Sequence, residues 1–241
     1  MNRIILRTTT AIAAVTAAAL FFPSVATAAP GALLSTAAKP NGWEIPFDDE
    51  KGQEAIHSAD IVSDKDGSLK FETTPEAPRK RLYHTAGDVP LIDIVGKTLS
   101  FEQTGAGLSW QIRLTGADTI APESENGFAT LVWDAPAGND AFRKLDATTS
   151  PLWRSTRDLP GIPKNTQKTF AELAAAAGPD AKVTHYGILL FSANPPAPAT
   201  AHVDHVTFNG TTTNFAKQAW SDADAFGSLS GVSLSGVTAR P

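Results

Sequence analysis

The sequence predicts an all-β protein, a jelly-roll β-sandwich with one short helix. Three observations carry this reading. Several stretches alternate polar and apolar residues with a period of two, as strands with one buried face do. Glycine, proline and asparagine punctuate the chain at short intervals, which turns between strands require. Only one segment carries both the start and the stop signals of a helix.

The strand signals come in order. Residues 68–73, Ser-Leu-Lys-Phe-Glu-Thr, alternate and follow the turn Asp64-Lys65-Asp66-Gly67. Residues 91–95 are a short apolar run, and residues 98–102 alternate again. Residues 108–114 are the clearest case, with Leu108, Trp110, Ile112 and Leu114 on one face. Residues 128–133 and 186–191 read as strands buried on both faces. Residues 202–208 lead into Asn209-Gly210, a strong hairpin turn, and residues 211–215 return. The basic triplet Arg79-Lys80-Arg81 beside Pro78 reads as a solvated turn. For the helix, Thr169 and Glu172 form a capping box ahead of Leu173 and four alanines, and Gly178-Pro179 stops it. So short a helix holds only when packed, so Phe170 and Leu173 are expected to dock on the sheets.

The N-terminus has the three parts of an export signal. Arg3 and Arg7 supply positive charge, residues 11–22 are apolar but for Thr16, and Ala26-Thr27-Ala28 offers small residues for cleavage. The apolar run is shorter than the ~20 residues that span a bilayer. The chain is therefore expected to be secreted, with residues 1–28 removed and no membrane span in the mature product. Residues 29–41 read as a flexible lead-in, residues 42–215 as the sandwich, and residues 216–241 as a disordered tail rich in Ser, Gly, Ala and Asp.

Of the 241 residues none is cysteine. An exported domain without disulfides must be held by its core or by a metal. The same absence excludes thiol catalysis and cysteine-ligated zinc. The net charge of −5 becomes more negative when the two leader arginines leave, which argues against nucleic acid as a partner.

The order of several short motifs carries a resemblance. Thr130-Leu131-Val132-Trp133-Asp134 precedes Trp153-Arg154-Ser155-Thr156, then the helix with Gly178-Pro179-Asp180-Ala181, Tyr186-Gly187-Ile188, and Val203-Asp204-His205-Val206 running to Asn209-Gly210. With Gly67-Ser68-Leu69 near the start, residues 42–215 resemble exported, largely actinobacterial jelly-roll proteins. The resemblance implies a fold shared with carbohydrate-binding modules and with lectin-like and glucanase-like domains. Function on such folds lives in particular sites. Where those proteins show paired tryptophans, this chain has Leu152-Trp153.

Candidate chemistry is sparse. The carboxylate spacings of jelly-roll glucanases do not occur. Glu123 and Glu125 sit in a turn between Pro122 and Asn126-Gly127, and Asp48-Asp49-Glu50 reads as surface charge. No nucleophile elbow Gly-x-Ser-x-Gly lies in the domain, and His57, His84 and His185 stand alone. His202 and Asp204 would share one strand face with His205 on the other, so the three are not expected to meet at one ion. Asp204 is the metal candidate. The resemblance implies a structural calcium near the last core strand, with Glu44, Asp48 or backbone carbonyls as further ligands. The reading favoured over a metal is that Asp204 accepts backbone N–H bonds at a strand entry, because one carboxylate is far short of the ~6–8 ligands calcium takes. Trp153, in a Pro-flanked polar segment, is the best candidate for an exposed sugar-stacking ring, and Tyr83 is second; either ring also fits ordinary packing. The expected function is a non-catalytic exported module that binds carbohydrate or another envelope component. A secreted polysaccharide- or ester-cleaving enzyme, and a surface protein without a small ligand, are the alternatives.

Overall fold

The computed structural model describes residues 32–46, 49, 51–120, 125–192 and 197–217. The expected export signal, Asp48, Glu123 and residues 218–241 of the expected tail lie outside the described residues. The elements run β1 (Ala32–Ser35), β2 (Trp43–Glu44), β3 (Ile56–Ser58), β4 (Ser68–Thr73), β5 (Arg79–Pro90) and α1 (Leu91–Ile94). Then come β6 (Ser100–Gly105), β7 (Ser109–Thr115), β8 (Ala129–Asp134), β9 (Arg143–Asp146) and β10 (Trp153–Ser155). The chain continues through α2 (Phe170–Ala177), β11 (Lys182–Phe191), β12 (Ala199–Phe208) and β13 (Thr211–Phe215).

These strands form two sheets, and the protein is an all-β sandwich. A six-stranded sheet has the order β10-β8-β7-β11-β5-β2. A seven-stranded sheet is built around β12, which pairs with β6 on one edge. Its other edge is divided. Residues 199–203 pair with β4, and residues 206–208 pair with β13. β9 extends the sheet beyond β6, β3 beyond β4, and β1 runs parallel beside β13.

The apolar faces meet between the sheets. The ring of Phe101 on β6 lies 6.0 Å from Trp110 on β7 and 6.2 Å from Trp133 on β8. Phe208 on β12 stacks on Tyr186 of β11 at 4.0 Å. Trp110, Ile112 and Leu114 are fully buried, as the alternation of β7 predicts. Each such side chain contributes roughly 1.5–3 kcal/mol by leaving water. The capping box forms as expected: Thr169 Oγ1 accepts from the Glu172 N–H, and Glu172 accepts from the Thr169 N–H. Phe170 and Leu173 dock into the core. The turn Asn209-Gly210 has both residues at positive φ (47° and 81°), the type I′ geometry that matches strand twist.

Four expectations need correction. Residues 32–35 of the expected lead-in are a strand, because β13 offers a free edge for them. Residues 91–94 are a helical turn, because Leu91 and Ile94, three apart, both face the core while Ile92 points to solvent. Arg79-Lys80-Arg81 opens the long strand β5, where Asp49 pairs with Arg81 at 2.8 Å. Trp153 lies in β10 and is fully buried. Among the described residues, no helix is long and apolar enough to cross a membrane.

Candidate metal centre

The seam where β4 gives way to β13 along β12 gathers the acidic residues. The apolar pattern of β12 shows why. Ala201 and Val203, at odd positions, face the core, and so do Val206 and Phe208, at even positions. The alternation slips by one residue at a bulge, where the pairing with β6 shifts between Asp204 and Thr207. His205 sits there with φ of 48°, a conformation uncommon for a non-glycine residue. The bulge leaves Asp204 and His205 on the same side of the strand. A regular strand would have separated them, so the expectation that they point apart is overturned. His202 goes elsewhere: its Nδ1 lies 3.0 Å from Ser68 Oγ, and burial holds its pKa below the usual value.

Three further segments reach the bulge. The turn before β4 brings Asp64 and Asp66, β13 brings Asn214, and β6 brings Glu102. Asn214 Nδ2 donates to Asp64 Oδ2 at 2.8 Å and to Asp66 Oδ2 at 3.0 Å. Asp204 Oδ1 accepts from the backbone N–H groups of His205 and Phe215, both at 2.8 Å. His205 Nδ1 lies 3.1 Å from Glu102 Oε2 and 3.7 Å from Asp204 Oδ2, and its Nε2 lies 3.6 Å from Asp64 Oδ2. Ligand atoms of Asp64, Asp204 and His205 all fall within 4.8 Å of one another. Gly67 is required here, because a Cβ at that position would come within 2.3 Å of the Lys217 backbone nitrogen.

The oxygens of this cluster are not satisfied from within. Asp204 is 0 % exposed, and its Oδ2 accepts no hydrogen bond. Asp66 Oδ1 and Asn214 Oδ1 are likewise buried without a hydrogen-bond partner. A buried carboxylate oxygen without a donor costs the desolvation of that group, so such atoms call for a partner. The protonation of the cluster tells the same story. Burial, then the neighbouring Asp64, pushes the Asp66 carboxyl up to about 7. Burial pushes Asp204 to about 7 against the pull of His205 and two backbone N–H bonds. Burial works against a charged His205, yet Asp204, Glu102 and Asp64 together hold its pKa above the usual value. The cluster is short of positive charge.

Hard oxygen donors from Asp64, Asp66, Asp204 and Asn214 fit a cation such as calcium, which takes 6–8 oxygens. Asn214 would turn its amide oxygen inward. His205 and Glu102 flank these oxygens from β12 and β6. Asp64 and Asp66 both accept from one amide nitrogen, Asn214 Nδ2.

The other candidates lie elsewhere. Trp153 packs edge-on against Phe170 at 5.1 Å, and its Nε1 donates to the Ala147 carbonyl at 2.8 Å. Tyr83 is 4 % exposed, on the face of the six-stranded sheet turned from the core, with the Arg113 guanidinium 5.6 Å above its ring. Neither is an exposed platform: both are packed, the reading favoured for each ring taken singly, and the candidacy of both as sugar-stacking residues is corrected. Trp43, Trp110 and Trp133 are buried as well. Glu44 lies on β2 in the opposite sheet, so it does not join Asp204. Sequence reading missed Asp64, Asp66 and Asn214. The signal was present in Asp64-Lys65-Asp66-Gly67, where alternate carboxylates precede a glycine as in calcium loops. No protein-family model and no curated protein matches the chain.

Proposed function

We propose that this chain is an exported, non-catalytic β-sandwich module that holds calcium at the seam of its seven-stranded sheet and binds carbohydrate or another envelope component. One observation carries the calcium reading: the fully buried Asp204, with an oxygen that accepts no hydrogen bond, lies where ligand atoms of Asp64, Asp204 and His205 fall within 4.8 Å of one another. The ligand class rests on the leader-like N-terminus and on the sandwich fold, which is an argument by analogy. A chain without cysteine has no disulfide, so an exported domain of this kind relies on its core, to which a bound metal would add.

Calorimetry of the chelator-treated protein against calcium, with magnesium, manganese and zinc in parallel, tests the metal. Calcium binding that disappears in Asp204→Asn supports it. Tighter binding of zinc or manganese would instead make His205 a ligand, since imidazole suits those metals. A glycan array and a pull-down on cell-wall polysaccharide test the ligand class. Absence of binding to every glycan and envelope fraction would sink it.

A further inference from the structure

We infer that the cation at the seam is the clasp that keeps the edge ribbon of β1 and β13 on the sandwich. The inference rests on the calcium reading above and adds what the ion controls.

The ribbon is thinly attached. β13 pairs with β12 over Val206, Thr207 and Phe208 only. β1 reaches the sheet through β13, the one strand it pairs with among the described residues. Beyond these ladders, Phe215 is buried in the core, Trp43 Nε1 donates to Thr213 Oγ1, and Ser35 Oγ meets His57 Nε2 at 3.0 Å. No backbone ladder joins β4 to β13, which follow one another along the same edge of β12. The seam between them is closed by polar contacts: Asn214 to Asp64 and Asp66, the Phe215 N–H to Asp204, and the Lys217 N–H to the Asp66 carbonyl.

A cation shared by Asp64, Asp66, Asp204 and Asn214 changes the character of that seam. It ties β13 to a turn 150 residues earlier in the chain. Because the ion binds the folded chain and leaves on unfolding, it stabilises the closed seam by mass action. Without the ion, crowded carboxylates repel one another across the line where the ribbon joins. Local opening begins where apolar contacts are few and hydrogen bonds lie near the surface. The ribbon fits that description, and the six-stranded sheet contributes no residue to the cluster.

Hydrogen exchange on the exported chain, in millimolar calcium and again with chelator, tests this. Chelation is expected to speed exchange at least tenfold in β1, in β13 and at residues 206–208. Exchange in β5, β7, β8 and β11 should change less than twofold. Asp64 is partly exposed, so Asp64→Asn keeps the fold even where Asp204→Asn does not. In calcium it should show the ribbon exchange of the chelated parent protein. Equal acceleration in both sheets would overturn the clasp, and so would an unchanged ribbon in protein that calorimetry shows to bind calcium. Absence of calcium binding would overturn the calcium reading and the clasp with it.

Discussion

β11 and β12 are both ten-residue central strands, and they differ in how their edges are used. β11 keeps one partner on each edge, β5 and β7, with a single register shift after Val183. Its neighbours are joined by continuous ladders, and its core face carries Val183, Tyr186, Ile188 and Leu190. β12 changes partner halfway along one edge and bulges at the change. Polar groups fill the break. The contrast teaches that one sandwich uses two kinds of cohesion. Apolar burial and regular pairing hold the six-stranded sheet. The seven-stranded sheet adds a polar junction, the one proposed above to hold a cation.

The largest expected effect breaks the apolar side of this contrast. Trp153→Ala should lower stability by about 3–5 kcal/mol, the usual cost of emptying a buried aromatic site. A urea midpoint equal to that of the parent protein would show that Trp153 is not core. The loss should come without any selective effect on glycan binding by the folded fraction.

The junction comes next. At calcium a hundredfold above its dissociation constant, the ion should add about 2.7 kcal/mol. Chelation should therefore lower the melting temperature by about 5–10 °C, given roughly 2–4 °C per kcal/mol for a domain of this size. Asp204→Asn should show no calcium response in the same scan. A response kept by the variant would move the ion elsewhere.

A smaller effect sharpens the comparison through pH. His57 on β3 is buried against Ser35 of β1, and burial, then Lys217, lowers its pKa to about 4. The unfolded chain binds this proton near 6.5, so between those values it holds more protons than the folded one. The stability contributed by His57 therefore rises with pH in that window, is fully present above about 6.5, and is lost as pH falls towards 4. The expected loss between pH 7 and 5 is about 1–2 kcal/mol. His57→Gln should flatten that part of the stability profile, and a slope unchanged in the variant would count against it.

The smallest effect tests local structure alone. Thr169→Ala removes the helix cap and should cost about 1 kcal/mol. Denaturation in calcium and in chelator should show the same cost, because α2 packs against α1 and β10 and the cluster lies on the 64–66 turn, β12 and β13. A cost that depends on calcium would undo the separation of the two regions.

Much of the fold was legible from local pattern. The alternation of residues 108–114, the capping box at Thr169 and the hairpin turn Asn209-Gly210 each depend on neighbours in sequence. Each appears in the structure as read. Trp153 was read as lying in a loop because Pro151 and its polar neighbours suggest one. Only packing against Phe170 puts it inside. The apolar run 91–95 was read as a strand although Leu91 and Ile94 carry helical spacing. So short a run gives periodicity little to act on. The bulge at His205 was also present in the sequence, in the switch of apolar residues from 201 and 203 to 206 and 208. Reading it required knowing that both pairs face the same core.

By itself, the sequence determined the sandwich class, the short capped helix, the absence of disulfides and the candidacy of Asp204. The first three follow from composition, from periods of two and from local capping chemistry, and the candidacy of Asp204 from the resemblance to jelly-roll modules. Only the tertiary structure decided that Asp64, Asp66, Asp204 and Asn214 share one seam and that Trp153 and Tyr83 do not form a platform. The reason is physical: which residues meet across 150 positions depends on strand order and register, and a single inserted residue in β12 turns His205 to the side of Asp204.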